Sequence, residues 1–466
     1  MNSLPAELIQ SLRKLDSFDE DAFKAVHAQG GQITSVRLNP DKIFNIQHSI
    51  FSAQLERVPW ASNGYYLQER PSFTSDPLFH AGAYYVQEAS SMFLEEALKQ
   101  SVDLSKPIKV LDLCAAPGGK STLIKSLISK DSLLLSNEVI RTRVNILSEN
   151  ITKWGAANVI VTNNDPKDLQ RLENYFDVIV VDAPCSGSGL FRKDPEAISE
   201  WSENNVQLCA RRQQRILADV MPSLKEGGVL IYSTCSYSQQ EDEEIADWLV
   251  GELKMESIRL KVDEAWGIVE AVSAKAKAYG YRFYPDKVKG EGFFIAVFRN
   301  GQAGENAHEI KKHPSASPRT KKNADKVTAK EIAVMGSFLI SADDFVFIKQ
   351  QDDILALPAN MADDLALLQS TLYIKKAGIK IGSIIRDELI PAHELAVSNF
   401  IRPSVIRFDV EKETALQYLR REEIKIDTGF KGWALLTYQQ LTLGWIKLLG
   451  NRINNYYPAA WRILNK

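Results

Sequence analysis

Val178–Gly189 reads VIVVDAPCSGSG, and Val229–Ser236 reads VLIYSTCS. Each is a short apolar run, rich in β-branched residues, that ends in a cysteine beside turn formers. Such a run is the pattern of a strand buried on both faces, as in a parallel sheet. The chain leaving it carries the cysteine into a loop at the strand's C-terminal end. In open α/β sheets that edge is where ligands bind. Two cysteines on it point to thiol chemistry.

Working outward, Lys109 to Arg299 alternates strand and helix patterns. KVLDL, LLLSNEV, NVIVTNND, VIVVDAP, VLIYSTC, ESIRLKV and FFIAVFRN read as strands, with helices over Ser121–Ser129, Thr142–Trp154, Pro195–Leu224 and Gln239–Leu253. This alternation predicts an α/β fold, a Rossmann-like, doubly wound sheet of seven strands. The last two strands are joined by a long segment without helical period, which predicts an antiparallel end.

Before this block, residues 1–100 read as a small α+β domain. Two short helices lead to a strand, Thr34-Ser-Val-Arg-Leu-Asn-Pro40. Trp60, Tyr65, Tyr66, Phe73, Phe79, Tyr84 and Tyr85 follow, as base-stacking platform or, for most of them, as core. After the block, 301–330 is a basic linker, with Lys311, Lys312, Arg319, Lys321, Lys322, Lys326 and Lys330, suited to a phosphate backbone. A small accessory domain, 331–395, and a mainly β region, 396–466, complete the chain.

Composition narrows the class. The 466 residues are 45% hydrophobic and 25% charged, as in soluble globular proteins. The net charge of −3 argues weakly against a nucleic-acid partner, but a sum hides local patches. The four cysteines form no CxxC pair and no zinc spacing, so they read as reduced thiols of a cytoplasmic protein without a metal. The N-terminus lacks the apolar core of a signal peptide, and no apolar run spans a bilayer.

The first strand leads into KVLDLCAAPGGKST. Pro117, Gly118 and Gly119 let backbone approach a ligand closely, and the helix that follows offers its free N–H groups. Glu138, ending the second strand, suits a ribose diol, and Asp165, ending the third, an adenine amino group. Acids at successive strand ends favour a nucleoside cofactor over isolated helix caps.

Together these motifs resemble the Nop/Sun family of S-adenosylmethionine-dependent RNA cytosine-C5 methyltransferases. The matching residues are Asp112-Leu-Cys-Ala-Ala-Pro-Gly-Gly-Lys120, Asn137-Glu138, Asp165, Asp182-Ala-Pro-Cys-Ser-Gly187 and Ser233-Thr-Cys-Ser236, with Gln87-Glu-Ala-Ser-Ser91 and Gly290-Glu-Gly-Phe-Phe294. Leu443-Gly-Trp-Ile-Lys447 and Asn454-Asn-Tyr-Tyr-Pro458 are similar to the PUA-like end of the bacterial branch that acts on small-subunit ribosomal RNA.

The resemblance implies a methyltransferase sheet with S-adenosylmethionine as cofactor. Its contacts would come from Cys114, Ala115, Ala116, Pro117, Gly118, Gly119, Lys120, Glu138, Arg143, Asp165 and Asp182, and RNA contacts from Arg37, Asn39 and Lys193. It implies a monomer acting on RNA, most readily small-subunit ribosomal RNA or its particle. Transfer RNA, or a non-catalytic role in ribosome assembly, are the other readings.

Cysteine chemistry explains the pair. Carbon 5 of cytosine attacks a methyl sulfonium poorly until a thiolate has added to carbon 6. By resemblance Cys235 is that nucleophile, Cys185 assists elimination, and Asp182 holds ring nitrogen 3. In DNA cytosine methyltransferases the Pro-Cys cysteine itself attacks, and here that motif is Pro184-Cys185. Cys209 reads as core. Asp286-Lys287 stands where many relatives carry a histidine. Amino-group methylation is disfavoured, since that chemistry usually shows a (D/N)PP(Y/F) turn where this chain has DAPC.

Overall fold

The computed structural model describes residues 4–15, 17–42, 55–301, 327–450 and 452–464. The basic stretch Lys311 to Lys326 lies outside the described residues. Lys330 lies within them and pairs with Asp387 at 2.7 Å.

The largest sheet has ten strands: β1 (Lys109–Asp112), β2 (Leu133–Asn137), β3 (Val159–Thr162), β4 (Phe176–Asp182), β5 (Leu224–Thr234), β6 (Met255–Ile258), β7 (Val269–Val272), β8 (Tyr279–Phe283), β9 (Phe293–Asn300) and β10 (Ile374–Ala377). Their order is β7, β8, β9, β5, β4, β1, β2, β3, β10, with β6 also beside β9. Strands β1 to β5 are mutually parallel, while β9 lies antiparallel to β5 and β6 and β8 antiparallel to β9.

The seven strands read from sequence are all present, with the antiparallel end. Three more extend the sheet. The hairpin β7–β8 fills the segment that lacked a helical pattern. Strand β10 arrives from beyond the basic stretch and pairs antiparallel with β3. A single sequence carries no signal for that pairing, because it joins residues about 200 positions apart.

Strand β4 shows why apolar runs become central strands. Val178 and Val180 face one core while Ile179 and Val181 face the other, and all four are fully buried. The period-2 alternation of strand side chains feeds both faces. Burying each such side chain contributes about 1.5–3 kcal/mol. One core holds helices α1 (Gly119–Leu127) and α2 (Arg141–Trp154) with the N-terminal Leu94–Ser101 helix. The other holds α3 (Glu203–Val220), α4 (Glu243–Gly251) and the Ala362–Thr371 helix.

Flanking sheets have four strands each. One lies in the N-terminal region, one is built from residues 345–391, and one spans Arg407 to Asn455. The chain builds outward from β1 through β2 to β3, then crosses to β4 and β5. The crevice at the C-terminal ends of β1 and β4 is therefore the topological switch point.

Candidate active site

Asp182 ends β4 and pairs in register with Ser233 of β5. Three residues beyond Asp182 lies Cys185, and two beyond Ser233 lies Cys235. Their sulfurs are 3.0 Å apart, and both side chains are partly accessible. The contact with Cys235 and burial push the Cys185 thiol up.

The two cysteine loops are stitched together by backbone. Gly189 N–H donates to Cys235 O at 2.9 Å, and Gly292 N–H donates to Gly189 O at 3.0 Å. A Cβ on Gly189 would lie 2.5 Å from Gly292 O and 2.8 Å from Cys235 O, so this approach requires glycine.

Asp182 receives the Ser233 hydroxyl at 2.8 Å and the Lys120 ammonium at 2.8 Å. Lys120 also lies 5.1 Å from the centre of the Phe293 ring. An ion pair thus links the end of β4 to the first turn of α1.

At the glycine turn, Gly118 holds φ +116°, a left-handed value that L side chains rarely adopt, and α1 begins without a side-chain cap. Glu138 is buried. Its Oε1 accepts Ile140 N–H at 2.8 Å, while Oε2 has no hydrogen-bond partner and faces Arg143 at 3.5 Å. Arg143 also donates to Ala116 O at 2.6 Å. A buried carboxylate oxygen with an open acceptor position beside a glycine turn fits a ribose hydroxyl. Asp112 beneath the turn accepts the Ser121 hydroxyl, and burial pushes it up to about 7.

Asp165 is exposed at the end of β3 and caps the Pro166–Leu169 turn through Lys167 N–H at 3.1 Å. Cys114 packs against the second core, and burial pushes its thiol up. Ala115 spends its N–H on Asn137 O at 2.8 Å. Cys209 is buried on α3.

Arg37 and Asn39 correct the sequence reading, for neither reaches a surface that RNA could touch. Arg37 is 1% exposed. It donates to Gln87 Oε1 at 2.9 Å and Thr122 Oγ1 at 2.6 Å and stacks 4.7 Å from the centre of the Trp154 ring. Asn39 donates to Gly82 O at 3.0 Å and Trp154 O at 3.2 Å. Their strand faces α1 and α2, so both side chains join the N-terminal region to the large sheet. Lys193 is exposed on the loop after β4. Of the seven aromatics, Trp60, Tyr66, Phe73 and Tyr84 are buried core.

The two flanking motifs meet each other. Glu88 accepts the N–H groups of Ser90, Ser91 and Glu291 at 2.8–2.9 Å. Glu241 escaped the sequence reading. It sits in an acidic run that resembles an ordinary helix start, yet it is fully buried and binds Ser186 and Ser236, the residues after the two cysteines.

Residues 4–89 match the family model of the N-terminal domain of 16S rRNA methyltransferase RsmF. Residues 100–299 match that of 16S rRNA methyltransferase RsmB/F, and 405–463 match the methyltransferase RsmF PUA domain. The chain is 30% identical over 441 residues to the ribosomal RNA small subunit methyltransferase F of Aeromonas salmonicida, covering 91% of this chain and 90% of that one. It is 29% identical over 414 residues to the enzyme of the same name from Shewanella piezotolerans, covering 86% and 84%.

Among solved structures, a methyltransferase homolog protein from Pyrococcus horikoshii is 28% identical, with TM-score 0.50, covering 64% of this chain and 99% of that one. NSun6 from the same organism, solved with SFG, shares the fold at 20% identity and TM-score 0.54. The chain belongs to the RsmB/F family of 16S rRNA methyltransferases, in the branch named ribosomal RNA small subunit methyltransferase F.

Proposed function

We propose that the protein methylates carbon 5 of a cytosine in small-subunit ribosomal RNA through a covalent adduct between Cys235 and carbon 6. The observation that carries this reading is the pair of thiols 3.0 Å apart beside Asp182, at the C-terminal ends of adjacent parallel strands.

S-adenosylmethionine is the cofactor and supplies a methyl group made electrophilic by a positive sulfur. Glu138 would hold the ribose, the Ala116–Lys120 turn the amino-acid end and Asp165 the adenine edge.

Cys235 thiolate adds to carbon 6, and the ring's 5,6 double bond becomes electron density at carbon 5. As charge builds on the ring, nitrogen 3 takes a proton from the Asp182–Lys120 pair and returns it when the adduct collapses. Carbon 5 takes the methyl group that the cofactor would supply, the methyl–sulfur bond breaking to leave a neutral thioether, and the carbon-5 proton then passes to Cys185 as thiolate. The bond between carbon 6 and Cys235 then breaks, restoring the double bond and the thiolate. Stacking blocks carbon 6 in a helix, so the base is flipped out before attack.

The test is incubation with radiolabelled S-adenosylmethionine and either 30S subunits, their naked RNA or transfer RNA, followed by nucleoside analysis. Label in 5-methylcytosine of small-subunit RNA is the expected result. Label confined to transfer RNA, or found in an amino-methylated base, would contradict the proposal.

A further inference from the structure

Both thiols are gripped through their neighbours in the chain, and the grips converge on one buried segment. Ser186, after Cys185, donates to Glu241 through its N–H at 2.8 Å and its hydroxyl at 2.5 Å. Ser236, after Cys235, donates to Glu241 through its hydroxyl at 2.7 Å. Gln213 of α3 donates to Glu241 at 3.1 Å and to the carbonyl of Pro184, before Cys185, at 3.1 Å. Thr234, before Cys235, donates to Asp242 at 2.7 Å. The segment is itself pinned, with the Tyr232 hydroxyl donating to Glu241 O at 2.6 Å.

A buried carboxylate is retained only where donors satisfy it, because desolvation is costly. Glu241 has four donors, and they come from three elements: the β4 loop, the β5 loop and α3. A helix cap or a solvated charge would bind one. No other side chain among the described residues accepts from the residues that follow both cysteines.

We propose that Glu241 is the positioning residue of the thiol pair. Its carboxylate locks the Cys185 loop to the Cys235 loop and so sets the distance at which one thiol serves the other. This rests on the reading of Cys235 and Cys185 as attacking and eliminating thiols. Glu241 does not touch the base. Its negative charge also opposes ionisation of the Cys185 thiol, and burial pushes Glu241 itself up. The other titratable groups acting on this cluster are Asp182 and Tyr232 on the strands, Asp242 beside Glu241 with Glu243 and Arg282 against it, and Cys209 and Arg212 on α3. None of them changes in the variants below.

The test is alkylation by iodoacetamide of the full-length protein, without RNA or cofactor, resolved for each cysteine by mass spectrometry across pH. It is applied to wild type, Glu241→Gln and Glu241→Ala. The amide keeps the shape and the acceptor for Ser186 N–H while removing the charge. The alkylation midpoint of the pair in Glu241→Gln should fall by ~1 pH unit. In Glu241→Ala the preference for Cys235 over Cys185 should drop by about 10-fold. Methyl transfer should fall by at least ~10-fold in kcat with KM for RNA little changed, and recover partly in the amide.

If Glu241→Ala does not fold, Glu241→Asp, which keeps the charge but shortens the reach to Ser186 and Ser236, takes its place with the same expected loss of cysteine preference. A wild-type profile and cysteine preference in the folded variants would overturn the proposal. Alkylation needs neither substrate, so this outcome is distinct from a wild-type enzyme that makes no 5-methylcytosine.

Discussion

The sulfurs of Cys185 and Cys235 lie 3.0 Å apart although 50 residues separate them in the chain. Parallel pairing of β4 with β5, in the register Asp182 to Ser233, produces this contact. On the proposed assignment the two thiols carry opposite tasks, so removing either should have a different signature. Cys235→Ala should abolish methyl transfer and form no adduct. Cys185→Ala should still attack the base but release it slowly, by at least ~100-fold, leaving an RNA–protein complex that survives denaturing electrophoresis. The two gels, run side by side, check the assignment.

Glu138 Oε2 is buried beside Arg143 without a hydrogen-bond partner, and on the proposed reading it accepts a cofactor ribose hydroxyl. Glu138→Gln should weaken S-adenosylmethionine binding by roughly 10-fold, the loss of one hydrogen bond to a charged acceptor. Calorimetric titration of the RNA-free protein measures it. RNA affinity should not change.

Arg37 is a structural arginine. Arg37→Ala should lower stability by about 3 kcal/mol, since it leaves Gln87 and Thr122 without their donor and opens a gap against Trp154. Denaturant unfolding reads that loss. Among molecules still folded, RNA affinity should stay at the wild-type level, in contrast to Lys193→Ala, which removes an exposed charge from the loop after β4.

The buried Glu291 near Arg192 gives a pH dependence with a definite sign. Burial pushes Glu291 up to about 7 from its ordinary value of 4.5. The folded state therefore binds a proton that the unfolded state releases at lower pH. The resulting stability is fully present below pH 4.5 and is lost as pH rises through 7. Unfolding midpoints between pH 5 and 8 should fall with pH, and Glu291→Gln should flatten that slope.

The sequence made the central sheet legible because its strands carry apolar runs that meet a core on both faces, as at Val178–Val181. The cysteine loops were legible because turn formers follow each run. A strand near Leu372–Ile374 was legible but its place in the large sheet was not, because nothing local to Ile374–Ala377 encodes pairing with Val159–Thr162. Arg37 and Asn39 misled because a polar residue in a strand looks the same whether it faces water or a carbonyl across a domain boundary. Glu241 was hidden for the converse reason. Buried, multiply bonded acids look like surface acids in a run such as Glu241-Asp-Glu-Glu244, and only the packing separates them.

Attack of Cys235 on the base is read most directly with small-subunit RNA in which 5-fluorocytosine replaces cytosine, so that carbon 5 has no proton to lose and the adduct is trapped. After incubation with S-adenosylmethionine, protease digestion and mass spectrometry identify the cross-linked peptide. A nucleotide on the peptide that contains Cys235 is the expected result. A nucleotide on the peptide that contains Cys185 would contradict it.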